Sequence, residues 1–165
     1  MKQQQGGINL LELLLALAIL AILLGVAVPA ATRQFEAHHQ TAELNRLLAV
    51  IHHGRQLASL RGESLLLCPS HRGQSCQSSA AATGNLLLIT ESGEPLAFFN
   101  GQGHGISFPA HEVVLRPLPR RGTGATLLPC TGFRQQAPRA ITLSATGRTR
   151  INDTPPTSLI NRCND

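Results

Sequence analysis

The sequence predicts an α+β fold in which a long N-terminal helix, its first half transmembrane and its second half amphipathic, packs on an antiparallel β-sheet globular domain. Three observations predict it. Residues 8–28 form an apolar run interrupted by a single charge, Glu12. Apolar residues then recur at helical spacing as far as Gly62. Beyond Gly62 the pattern changes to short apolar runs separated by Gly, Pro, Ser and Asn, which read as strands and turns. With 165 residues there is room for one modest domain beside a membrane segment. Trp and Tyr are absent and Phe numbers five, so the core has to be aliphatic and aromatic stacking platforms are scarce.

Residues 1–7 are short and polar, carry Lys2 and end in Gly6-Gly7. The apolar segment that follows is long enough, at about 1.5 Å per residue, to span the roughly 30 Å of a bilayer's hydrocarbon core. A secretory signal has a shorter apolar region with its cleavage site after it, whereas here the plausible break lies before it, so the helix over residues 8–29 stays on the chain. Lys2 on the short side keeps residues 1–7 in the cytoplasm and puts Arg33 onward outside. An acid at mid-membrane costs about 2.5–3.5 kcal/mol on insertion scales, less near an end, so Glu12 needs a partner. A chain cut after Gly7 would present the α-amino group of Ile8 about one helical turn away, and a neighbouring subunit's terminus supplies the same charge. Glu12 then sets axial register between packed helices. The plainer reading is a carboxylate close enough to the headgroups to reach water.

Gly7-Ile8-Asn9-Leu10-Leu11-Glu12-Leu13-Leu14, with Pro29 closing the apolar run, resembles the prepilin signature of type IV pilins and type II secretion pseudopilins. The resemblance implies a leader peptide over residues 1–7, removed by a prepilin peptidase between Gly7 and Ile8 with methylation of the new N-terminus, and a role for Glu12 in assembly. Ile8 stands where that family usually has Phe.

Pro29 lacks an N–H and is expected to kink the helix as it leaves the membrane. Over residues 30–62, Phe35, Leu44, Leu47, Leu48, Ile51, Ala58 and Leu60 form the apolar stripe of an amphipathic continuation. Arg33, Glu36, Glu43, Arg46 and Arg55 fall on other faces. The adjacent pairs His38-His39 and His52-His53 point to different faces and read as solvent-facing residues rather than metal ligands.

Residues 63–151 read as a β-rich domain, with strands expected at 64–68, 85–91, 95–99, 105–108, 112–116, 125–130, 139–144 and 148–151. Residues 69–84 form a loop, the glycine-rich stretch 101–105 a turn, and residues 152–165 an irregular tail containing Pro155-Pro156. Four cysteines, Cys68, Cys76, Cys130 and Cys163, all follow the membrane segment, so export makes disulfides the default. The spacing suggests Cys68 with Cys76 as a loop clasp and Cys130 with Cys163 as a tether for the tail, although four cysteines permit about three connectivities. Cys68, His71 and Cys76 drawn as zinc ligands lack a fourth. No nucleophile triad, paired carboxylates or phosphate loop stands out, which points away from an enzyme, and no cofactor is implied.

The order of a long helix, Cys68-Pro69-Ser70 with Cys76, Gly84-Asn85-Leu86-Leu87-Leu88-Ile89, and residues 140–150 is similar to the GspH/FimT family of pilin-like proteins. It covers most of the chain. A Trp common in that family just before the Gly84 region is missing.

The formal net charge is +5, and from Arg116 to the C-terminus eight arginines face two aspartates, an excess that favours a polyanionic partner. Within it, Gly147-Arg148-Thr149-Arg150 is similar to the Gly-Arg-x-Arg motif of FimT minor pilins, which bind DNA during natural transformation. Glycine permits a tight turn, and arginines at i and i+2 of a strand share one side. Their Cα atoms then sit about 6.6 Å apart, close to the spacing of successive phosphates along one DNA strand. Arg139, Arg134 and Arg162 would widen the patch, and Arg120 and Arg121 are weaker candidates. The plainer reading is an edge strand whose arginines discourage edge-to-edge pairing. Without interleaved aromatics, recognition is directed to the phosphate backbone and independent of sequence.

The resemblance is closest to FimT minor pilins. It implies a subunit held in the inner membrane by one span, its C-terminal domain in the periplasm, that enters an extracellular pilus and captures DNA for uptake. The expected partners are DNA, other major and minor pilins, the prepilin peptidase and the membrane. The alternative is a GspH-like type II secretion pseudopilin, or a minor pilin that primes assembly without touching DNA.

Overall fold

Helix α1 (Leu10–Arg61) leads into eight strands and a short second helix: β1 (Leu65–Pro69), β2 (Leu86–Thr90), β3 (Pro95–Phe99), β4 (Ile106–Ser107), β5 (Val113–Leu115), β6 (Ala125–Pro129), β7 (Ala140–Leu143), β8 (Thr149–Asn152) and α2 (Thr157–Asn161). The computed structural model describes residues 10–77, 84–101, 105–110, 112–119, 122, 124–131 and 137–163. Gly7, Ile8, Arg120, Arg121 and Arg134 lie outside them. The chain divides into two units, one up to Phe35 and one from Glu36.

In the first unit every residue from Leu10 onward is helical and exposed. The apolar stretch has a mean hydropathy of 2.8 and is long and apolar enough to cross a membrane. Pro29 lies inside the helix, and its carbonyl accepts the Thr32 hydroxyl at 3.0 Å.

The second unit begins with the amphipathic half of α1. Its buried residues, Gln40, Glu43, Leu44, Leu47, Val50, Ile51, Gly54 and Ala58, recur at three- and four-residue intervals. Four members of the expected stripe are therefore buried and Leu48 is half-buried, but Phe35 and Leu60 stand 67% and 84% exposed. The charged residues differ more from expectation. Glu43 is buried beside Arg46 of the same helix, and Arg46 and Arg55 are half-buried because each donates to a backbone carbonyl of the domain beneath the helix. The helix stops at Gly62, whose positive φ of 71° and N–H bond to the Ala58 carbonyl at 2.9 Å make it a glycine cap.

The strands form two antiparallel sheets, β3-β2-β1-β5 and β4-β6-β7-β8. All eight expected strands are present, their ends within about two residues of the sequence pattern. One core joins Leu44, Leu47 and Ile51 of the helix to Leu65, Leu67, Leu86 and Leu88 of the first sheet and Leu127, Ile141 and Leu143 of the second, with Phe108 the only fully buried aromatic in it among the described residues. Aliphatic packing thus replaces aromatic anchors, as the composition requires.

Each sheet also has its outer face partly covered. On the first, Cys68, Leu87 and Ile89 pack with Leu66 and Cys76. On the second, Leu128, Ala140 and Leu159 pack with Ile160 and Cys163. Disulfides Cys68–Cys76 and Cys130–Cys163 hold these two coverings in place, with Cα–Cα distances of 5.5 and 5.2 Å. This is the pairing that the spacing suggested, and it takes Cys68 and Cys76 out of any zinc thiolate set. The tail corrects the sequence reading: instead of being irregular throughout, it contains α2. Pro156 is compatible with a helix start, its carbonyl accepts the Leu159 N–H at 3.0 Å, and Leu159 is buried against the sheet.

Candidate functional site

The Gly-Arg-x-Arg segment is built on the hairpin that joins β7 to β8. Register pairs Ile141 with Ile151, Thr142 with Arg150 and Leu143 with Thr149. Ser144 N–H donates to the Arg148 carbonyl at 2.9 Å and Gly147 N–H to the Ser144 carbonyl at 2.8 Å, which closes a three-residue loop. Gly147 takes the left-handed position of that loop, with φ of +80°. Ser144 Oγ also accepts the Arg148 N–H at 3.0 Å, fixing the backbone where β8 begins.

Because Ile141 and Leu143 face the core, Thr142 and Arg150 face the opposite way, and Ser144 and Arg148 fall on that same outer side. Arg148 and Arg150 are both exposed. Neither has a carboxylate partner among the described residues. β8 ends its sheet, so these two guanidinium groups stand beside a free strand edge.

The other expected members of the patch behave differently. Arg139 donates from Nε to Asp153 Oδ1 at 2.7 Å, so its charge is locally balanced. Arg162 donates from Nη1 to the Phe108 carbonyl, a neutral acceptor, and has no carboxylate partner among the described residues. Arg134 cannot be placed because it lies outside the described residues.

Two residues of α1 join the hairpin without having been expected there. Arg55 donates from Nη1 to the Gly147 carbonyl, and its guanidinium occupies the space that a Cβ on Gly147 would need. Gly147 is thus favoured by its φ, and a side chain there would also have to displace the end of Arg55. His52 Nε2 lies 3.5 Å from Thr149 Oγ1. These contacts cross 92 and 97 residues, and nothing in the local sequence around Arg55 or His52 announces them.

Glu12 lies in the first turn of α1, while its expected partner, the amino group of Ile8, is outside the described residues. Among the described residues no group of three or more His, Cys, Asp or Glu could hold a metal ion. What the hairpin offers chemically is two charge-assisted donor forks on one face, suited to oxyanions such as phosphates.

The fold is similar to that of type IV minor pilin FimU from Pseudomonas aeruginosa (strain PAO1) in two crystal forms. One matches with a TM-score of 0.53 and 13% identity, covering 72% of this chain and 94% of that one. The other gives 0.55 and 15%, covering 74% and 92%. The chain therefore has a type IV pilin-like fold, a long N-terminal helix packed on antiparallel sheet. No protein-family model matches the sequence, and no curated protein matches it.

Proposed function

We propose that this chain is a minor pilin of the FimT type, carried into a type IV pilus by its N-terminal helix, that binds extracellular DNA without regard to sequence for uptake in natural transformation. The observation that carries this reading is the β7–β8 hairpin on a pilin-like fold: Arg148 and Arg150 on one exposed side, free of acidic partners among the described residues. In this reading residues 1–7 are removed by a prepilin peptidase and the apolar helix first anchors the subunit in the inner membrane. The C-terminal domain lies in the periplasm until other pilins take the helix into the filament. The protein is then a structural subunit and not an enzyme.

Phosphate neutralisation releases counterions, so affinity falls with salt along a log–log slope of about −0.9 per phosphate contacted. In the full chain held in neutral detergent, duplexes of unrelated sequence should bind with equal affinity. The double variant R148A/R150A should lose at least about ten-fold in affinity and flatten the slope by about 2. Fluorescence anisotropy of a labelled duplex, titrated at several salt concentrations, measures both. Parental binding in the double variant would leave the arginines as protection of a strand edge. The chain would then read as a pseudopilin or as a minor pilin that does not touch DNA.

A further inference from the structure

α2 covers only one end of the outer face of the second sheet, where Leu159 meets Leu128 and Ala140. The other end is an open trough. Thr126, Thr142 and Ser144 belong to its floor, and Ser158 and Arg162 line it from the α2 side. On the side away from α2, register sets Arg150 beside Thr142 and Arg148 beside Ser144 on this same face. The trough therefore has a small, hydroxyl-bearing floor between two guanidinium-bearing walls.

The floor is chemically suited to a phosphodiester. Thr126 Oγ1 and Thr142 Oγ1 lie 3.1 Å apart in a cross-strand hydrogen bond. Such a pair consumes one hydroxyl hydrogen and leaves the other free to donate outward. Arg162 spends one donor on the Phe108 carbonyl and retains others of its five N–H groups. From β8 to β6 is two strand spacings, about 9.6 Å, so a nucleic-acid strand crossing the sheet passes from the Arg148–Arg150 wall over the threonines toward Arg162.

We infer that one sugar-phosphate strand of DNA lies in this trough, crossing β8, β7 and β6, and does not follow the free edge of β8. The threonine pair donates to a phosphate between the two arginine walls. The inference rests on the DNA-binding reading above, and names the track by which that site holds its ligand.

Its test uses the full chain in neutral detergent and a labelled duplex. T126V/T142V keeps shape and strand preference but removes both hydroxyls, so affinity should fall about five-fold while the salt slope stays parental, because no charge is lost. T126S/T142S restores the hydroxyls and should restore binding, which a purely packing defect would not predict. R162Q removes the charge but keeps a polar side chain, and should weaken binding and flatten the slope by about 1. If T126V/T142V fails to fold, R162Q alone decides. Parental affinity in both T126V/T142V and R162Q, with binding lost in R148A/R150A, overturns the trough and leaves DNA capture standing. Parental affinity in R148A/R150A overturns both.

Discussion

Arg46 ties α1 to the segments before β2 and after β3. Its Nε bonds Glu43 Oε2 at 2.9 Å, Nη1 the Asn100 carbonyl at 3.1 Å and Nη2 the Gly84 carbonyl at 2.8 Å. Glu43 is 3% exposed, so its charge is tolerable only because this guanidinium sits beside it. Arg46→Ala should cost about 3 kcal/mol by stranding a buried carboxylate, and adding Glu43→Gln should recover part of that loss by removing the charge. Thermal unfolding in detergent measures both; equal stability of the single and double variants would contradict the ion-pair account. Neither residue was legible at this position from sequence. Charges are rarely buried, so Glu43, Arg46 and Arg55 read as solvent-facing, and the acceptors of the two arginines are backbone carbonyls 38, 54 and 92 residues away that no side-chain pattern encodes.

At the level of elements, the strands were legible because each is a short apolar run bounded by turn formers, and α1 because its stripe repeats over many turns. α2 was not, since five residues behind a Pro-Pro pair are too few to display a period. Its order comes from outside itself, from the floor of Leu128 and Ala140 and from Cys163. The two disulfides therefore differ in consequence. By chain entropy the Cys130–Cys163 link, spanning 33 residues, contributes about 3.7 kcal/mol, and Cys68–Cys76, spanning 8, about 2.5. Replacing Cys130 and Cys163 with serine should lower the unfolding temperature more than replacing Cys68 and Cys76. It should also expose residues 157–163 to protease, whereas the clasp variant should open the loop after Pro69. Proteolytic mapping followed by mass spectrometry would distinguish these outcomes, and identical cleavage patterns would show that neither disulfide holds its own covering.

For the whole molecule, the consequential feature is an apolar helix whose large aliphatic side chains stand in the open: Leu10 is 74% exposed and Ile22 70%. Such a surface requires lipid or other apolar helices around it. The fold, the hairpin and the apolar span were legible in sequence because each is written in contiguous residues; the pairing of Arg55 with Gly147 was not, because it exists only after folding. In the proposed function, a substitution at Glu12 would separate anchoring from assembly. An acid inside an apolar span is a cost to insertion, so Glu12→Ala should insert at least as well as the parent. If Glu12 instead serves to meet the amino terminus of Ile8 on its own or a neighbouring subunit, the variant should still be trimmed after Gly7 and stay in the inner membrane, yet be missing from sheared filaments. Intact-mass measurement on protein from the native host should find a chain beginning at Ile8 and carrying one added methyl group. Glu12→Ala recovered in filaments at parental amounts would remove the charge from the assembly step, and a mature chain lacking residues 8–28 would remove the helix itself.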